Sequence, residues 1–198
     1  MGLMSWLAQH TPFGGAANAR DQLLAALPPG SVGAEIGVWK GRFSLMVTEK
    51  LQPKSFHLID PWAFQPDFSE RMYGGRVARN QADMDAIFEG VQQLFDGAAN
   101  VHFHRDFSSE AVKAFDDAYF DWVYIDGNHH YDYVLEDLRL YFPKVKPGGY
   151  IAGDDYTWAP RETPGDLQVK RAVADFLEEN NGLVEMVNVW DDQFLLRR

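Results

Sequence analysis

Short apolar blocks punctuate the chain, most of them rich in β-branched or aromatic residues and most ending at an acid or a glycine. They are Val32–Gly37, Ser55–Asp60, Asn100–His104, Asp121–Asp126, Tyr150–Asp154, Val184–Val189 and a brief Gln193–Leu196. Blocks of this kind predict strands. Between them, helical spacing of apolar residues predicts helices over Phe43–Leu51, Asp83–Phe95, Ser109–Phe115, Tyr131–Phe142 and Leu167–Glu179. A further helix over Ala17–Leu27 precedes the first strand and stops at Pro28-Pro29-Gly30, a strong breaker. Strands alternating with helices imply βαβ units and a parallel sheet covered on both faces. The near-continuous apolar strands agree, because such a sheet buries both faces. The last two blocks are joined by little more than Asp191-Asp192, a turn that permits only an antiparallel hairpin. The expected fold is α/β: a Rossmann-like open sheet of about seven strands, mostly parallel with one antiparallel strand near the C-terminus, and helices on both faces. Residues 1–198 read as one domain with an N-terminal helical leader over 1–29. Two connections, 61–81 and 157–166, are long and irregular, the usual mark of active-site loops.

Composition narrows the function classes. The 198 residues suffice for one domain with a real core. A net charge of −11, with no Lys/Arg cluster longer than two, argues against a nucleic-acid partner. No apolar run approaches the roughly 20 residues that cross a bilayer. Residues 1–6 show neither a secretory signal nor a myristoylation pattern, so no membrane partner and a cytoplasmic location are expected. There is no Cys, which removes disulfides, thiolate metal sites and a cysteine nucleophile. A small-molecule enzyme or binding domain remains.

In open parallel sheets ligands sit outside the carboxyl ends of the strands. Here those ends carry Glu35-Ile36-Gly37, Asp60-Pro61-Trp62, Asp106-Phe107-Ser108, Asp126-Gly127-Asn128-His129-His130 and Asp154-Asp155-Tyr156. So many carboxylates on one rim repel one another unless a cation or several hydroxyls meet them. Asp60, at the end of the second strand, stands where a ribose diol is gripped. A dinucleotide would also need a G-x-G-x-x-G loop, whose backbone amides hold pyrophosphate. The stretch Gly37-Val38-Trp39-Lys40-Gly41 puts Trp where the second glycine belongs, and Glu35 repels phosphate. A cofactor without phosphates and with a cationic centre fits better: S-adenosylmethionine.

The stretch AEIGVWKGRFS (34–44) resembles motif I of class I S-adenosylmethionine-dependent methyltransferases. FDWVYIDGNHHYDYVLEDLRLYFPKVKPGGYIAGDDY (120–156) resembles the fourth-to-fifth-strand block of a bacterial group that includes macrolide-sugar O-methyltransferases and cephamycin-type enzymes. The resemblance covers residues 30–180. It implies that Glu35, Gly37, Trp39 and Gly41 line the methionine side of the cofactor, with Asp126 also at the cofactor. Asp60 would bind the ribose hydroxyls, with Trp62 beside the adenosine, and Asp106 with Phe107, or Ser108, would touch the adenine. Asp126, Asp154 and Asp155 match acids that coordinate magnesium in the sugar-methylating members, and His129 matches the histidine of the I-D-G-x-H-x-Y element. Position 128 is Asn where an acid is common.

Chemistry read from the residues themselves runs in parallel. Three carboxylates without Cys are hard ligands suited to Mg²⁺ or another hard divalent cation. Such an ion, chelated by vicinal oxygens, lowers an alcohol's pKa and orients it. His129, with an ordinary pKa near 6.5, would then take the proton. Asp126, His129 and Asp155 are thus the expected catalytic set. The plainer reading of Asp126 and Asp154 is helix capping, and that of His130 is packing or capping. Tyr73 and Trp158, set in the long loops, are expected substrate walls, and Trp6, Leu7 and Phe13 an apolar face suited to a second copy. The expected activity is O-methylation of a small hydroxylated molecule, a sugar, other vicinal diol or phenol. Alternatives are a metal-independent methyltransferase, a non-catalytic cofactor-binding protein, and an NAD-dependent oxidoreductase.

Overall fold

The computed structural model describes residues 14–69 and 71–198. The strands are β1 (Val32–Ile36), β2 (Ser55–Ile59), β3 (Val101–His104), β4 (Phe120–Ile125), β5 (Val145–Gly153), β6 (Glu185–Trp190) and β7 (Gln193–Arg197). They form a single seven-stranded sheet in the order β3-β2-β1-β4-β5-β7-β6. Neighbours from β3 to β5 pair in parallel, and β7 pairs antiparallel with both β5 and β6. Strand β7 therefore runs against all the rest, as the short Asp191-Asp192 link requires.

The helices are α1 (Gly14–Ala26), α2 (Arg42–Leu51), α3 (Gln81–Leu94), α4 (Ser108–Ala111), α5 (Tyr131–Tyr141) and α6 (Gln168–Glu179). Alternation along β4 shows how the sheet divides the core. Trp122 and Tyr124 face a layer built from Leu23 and Leu24 of α1, Val47 of α2 and Val91 of α3. Val123 and Ile125 face the opposite layer, with Leu138 of α5 and Phe176 of α6. None of the described helices is long and apolar enough to cross a membrane.

Three elements differ from the sequence reading. Strand β5 begins at Val145 rather than Tyr150. Phe120 pairs with Val145 and Trp122 with Tyr150, so residues 146–149 bulge out between two paired ends. Pro147 has no amide to pair, and Gly148 adopts φ 81, so the chain leaves the ladder there. Helix α4 spans only Ser108–Ala111 before tightening to a 3₁₀ turn at Val112–Ala114. The 61–81 connection carries a 3₁₀ turn at Pro66–Phe68 and a π-type turn at Met72–Arg76 that breaks at Gly75 (φ 149). It ends where Asn80 caps α3 by accepting the Asp83 amide at 3.0 Å. The apolar leader residues Trp6, Leu7 and Phe13 lie outside the described residues.

Candidate active site

Strand order reverses at β1, which has β2 on one side and β4 on the other, so a crevice opens at their carboxyl ends. Gly37 leaves β1 with φ 87, and a Cβ there would sit 2.1 Å from the Asp126 carbonyl oxygen. Only glycine lets this turn lie so close to the end of β4. Gly41 (φ 71) then turns the chain into α2.

Asp60, only 1% exposed, organises the turn. One carboxylate oxygen accepts the amides of Val38 (3.0 Å) and Trp39 (2.9 Å) and the Tyr73 hydroxyl (2.8 Å); the other accepts the Trp62 amide (2.7 Å). Burial pushes its pKa up against the pull of these four bonds. Trp39 sits in the left-handed region (φ 53), a costly conformation for a bulky residue. It is fixed from both sides, since its carbonyl also accepts the Trp62 indole N–H at 2.9 Å. Its ring lies 4.8 Å from that of Tyr73. Trp62, expected beside the adenosine, is fully buried beneath this turn against Phe88. Glu35 is also buried and accepts the Ser44 hydroxyl at 2.5 Å; burial pushes its pKa well up.

The other acids have charged partners. His129 lies between Asp126 (Nε2–Oδ1, 3.4 Å) and Asp155 (Nδ1–Oδ2, 3.0 Å). Desolvation lowers the His129 pKa, but the bonds to Asp126 and Asp155 more than offset this and push it up to about 10. Burial raises Asp126 to about 6, while Asp155 falls below the usual range because His129 outweighs its desolvation. Asp154 has a different set of partners. One oxygen pairs with the guanidinium of Arg20, and the other accepts the Gln193 amide and the Asp155 N–H. Arg20 also reaches Asp126 at 3.5 Å and lies over the Phe43 ring. Asp155 takes a left-handed backbone (φ 56) immediately after Asp154, and the two adjacent carboxylates serve different partners.

Two features of the sequence expectation change. Among the described residues, ligand atoms of Asp126, His129 and Asp155 converge within 4.8 Å of one another. The expected trio with Asp154 does not come together, because Arg20 and Gln193 engage that carboxylate. His129 contacts both Asp126 and Asp155, which push its pKa up, rather than standing as a lone imidazole.

Comparison with known proteins identifies the family. Residues 34–156 match a family model described as a methyltransferase domain, which covers more than half of the chain. The chain belongs to this methyltransferase family. The matched span contains both motifs that carry the resemblance to class I S-adenosylmethionine-dependent methyltransferases. An uncharacterised protein of Acanthamoeba polyphaga mimivirus is 43% identical over 58 residues, 28% of this chain and 25% of that one; the chain therefore matches about a quarter of that relative's length. The fold is similar to that of the O-methyltransferase NovP (21% identity, TM-score 0.56, covering 91% of this chain and 76% of that one). It is also similar to a SAM-dependent methyltransferase from Aquifex aeolicus (19% identity, TM-score 0.56, 90% and 87% covered).

Other expected residues of the methyltransferase lie along the same rim. Asp106 is exposed and accepts the Phe107 amide at 2.9 Å, and the Phe107 ring is 51% exposed beyond β3. Ser108 begins α4 and hydrogen-bonds Asp137, a buried acid whose pKa desolvation raises to about 7. On the opposite side Trp158 stands edge-on to His129 (5.7 Å) and His130 (5.1 Å). Arg71 stacks on Trp158 at 4.8 Å and hydrogen-bonds the His130 ring at 3.0 Å, so the two long loops meet above β4.

The sequence reading missed Arg20, Gln193 and Arg71. Arg20 did leave a trace: Leu23, Leu24 and Leu27 follow it at i+3, i+4 and i+7. A charge on an apolar helical stripe is out of place unless a buried acid meets it.

Proposed function

We propose that this methyltransferase transfers a methyl group to a hydroxyl of a small molecule, a sugar, other vicinal diol or phenol, with assistance from a divalent cation. The observation that carries the reading is the convergence of Asp126, His129 and Asp155 at the rim beside the cofactor turn. Two carboxylates suit Mg²⁺ or Mn²⁺, and the imidazole, once the ion has displaced its proton, would tilt the choice toward Mn²⁺. A cation held there supplies charge that lowers the acceptor's pKa and orients its oxygens. A net charge of −11 supports a small acceptor rather than a nucleic acid.

The chain's own residues supply alignment. Asp60 holds the turn through Val38 and Trp39, and takes the cofactor's ribose by exchanging the Tyr73 hydroxyl for a ribose hydroxyl. Asp126 supplies negative potential toward the cationic sulfonium, and buried Glu35 holds Ser44 near the start of α2. Trp158 and Arg71 wall the acceptor side and exclude water above β4. Alignment of this kind is worth up to ~7–11 kcal/mol in a displacement reaction.

A second reading is favoured by Arg20 and His129. These two protein cations already face Asp126, Asp154 and Asp155, and the rim then works without a metal, by alignment alone. Release of S-adenosylhomocysteine from S-adenosylmethionine, measured with a panel of sugars, catechols and diols, tests both readings. Loss of turnover in EDTA, restored by Mn²⁺ or Mg²⁺, is the expected result. Turnover unchanged by EDTA selects the second reading, and no turnover with any hydroxylated acceptor overturns O-methylation.

A further inference from the structure

Arg20 has no assigned role, yet its guanidinium pairs with two acids of the rim. It comes from α1, outside the span matched by the methyltransferase family. Leu23 and Leu24, one turn further on, are fully buried against the sheet and anchor the helix. The guanidinium lies 5.3 Å from the centre of the Phe43 ring, pairs with Asp154 and reaches Asp126 at 3.5 Å. Burial disfavours its charge, but Tyr124, Asp154 and Asp126 more than offset this, so it stays protonated.

Asp154 is held equally firmly from its other side. The Tyr124 hydroxyl donates to Gln193 Oε1 at 2.9 Å, which turns the Gln193 amide N–H toward Asp154. The Asp155 amide donates to the same carboxylate oxygen at 2.8 Å. Both Tyr124 and Gln193 are buried. The carboxylate is thus fixed by two neutral donors and one permanent cation. A divalent ion seeking Asp154 meets a guanidinium already on the lone pairs it needs, and a positive charge that repels it.

We propose that Arg20 is the specificity-determining residue of this rim: a built-in counter-cation that closes Asp154 to metal and confines any divalent ion to Asp126, His129 and Asp155. The inference deepens the metal-assisted reading and rests on it only for the location of the ion. Its consequence is a weaker, three-ligand site from which the ion exchanges readily. Replacing the guanidinium by a neutral amide frees a fourth oxygen ligand and removes the repulsion.

The test is Mn²⁺ binding alone, by calorimetry or electron paramagnetic resonance, without cofactor or acceptor. Arg20→Gln is expected to tighten Mn²⁺ at least tenfold, and Arg20→Lys, which keeps the charge, to tighten it far less. Adding Asp154→Asn to Arg20→Gln is expected to abolish the gain. Circular dichroism melts of each variant separate folding from binding. Arg20→Gln that folds and binds Mn²⁺ no more tightly than the native protein overturns the inference, as does a gain that survives Asp154→Asn. Should Arg20→Gln fail to fold, Arg20→Lys decides: tightening equal to that of a freed Asp154, tenfold or more, sinks the role of charge, and native-like binding supports it. Because no turnover is measured, these outcomes stand apart from the EDTA result. Metal-independent catalysis is compatible with a tightened Arg20→Gln, whereas unchanged binding removes the inference even if EDTA abolishes turnover.

Discussion

The two halves of the rim neutralise their acids in opposite ways. Beside the turn after β1, Glu35 and Asp60 are buried and meet neutral donors: a serine, a tyrosine and three backbone amides. At the ends of β4 and β5, Asp126, Asp154 and Asp155 meet Arg20 and His129. Hydrogen bonds to amides are directional and tie the acid to one backbone shape, so Asp60 holds the turn around Trp39 in place. Ion pairs tolerate a change of partner, and a ligand cation can replace a protein cation without rebuilding the chain. The first half is suited to an invariant cofactor, the second to exchange.

The sharpest way to break this contrast is Asp60→Ala. It strands four donors, three of them backbone amides in a buried turn, and is expected to cost about 3–5 kcal/mol. Denaturant unfolding measures that loss, and S-adenosylhomocysteine binding should disappear with it. A variant as stable as the native protein would mean the turn holds itself. On the other half, Asp155→Asn should leave the fold intact and S-adenosylhomocysteine binding within a few-fold. Turnover should drop about 100-fold, measured at saturating cofactor. An equal loss of cofactor binding would show that the two halves are not separable.

Acid lability between pH 6.5 and 4 should come from neither half. His57 on β2 is 7% exposed and touches His104 Nε2 at 2.9 Å, Tyr119 and Ser55, with the His102 ring tilted beside it at 4.9 Å. Burial first, then the neighbouring His104 and His102, lower its pKa to about 4 from the usual 6.5. The folded state therefore keeps His57 neutral where the unfolded chain would protonate it. That stability is complete above pH 6.5 and is lost as pH falls toward 4. At ~1.4 kcal/mol per unit, discounted for residual solvent screening, the loss is about 1–2 kcal/mol. His57→Gln should flatten the pH dependence of Tm between pH 6.5 and 4. The smallest effect is expected from Tyr73→Phe, which removes one of four donors to Asp60 and costs about 1 kcal/mol. If Asp60 trades Tyr73 for the ribose, cofactor binding should tighten slightly in this variant, by titration calorimetry; a large weakening would contradict the exchange.

Much of this was legible in the sequence. The strand positions, the hairpin at Asp191-Asp192 and the breaker at Pro28-Pro29-Gly30 follow from local composition, which acts over a few residues. The residues of the turn were legible too, because Gly37 and Gly41 serve backbone needs that a sequence displays directly. Less legible were positions whose roles depend on what crosses from elsewhere. Trp62 reads as a rim aromatic but is sealed under Trp39 by its indole bond. Asp154 and Asp155 read as a pair, yet the left-handed backbone at Asp155 accompanies a division between two sets of partners.

By itself the sequence determined the order of strands and helices, the acids at the strand ends and the glycines of the turn after β1, because periodicity and turn chemistry are local. Tertiary structure alone decided which charge meets which. Arg20 lies 106 residues before Asp126 and 134 before Asp154, and Gln193 reaches Asp154 from the one strand that runs the other way. No local pattern encodes those meetings; they arise only when α1 packs against the sheet and β7 pairs into it, bringing their polar groups to the same rim.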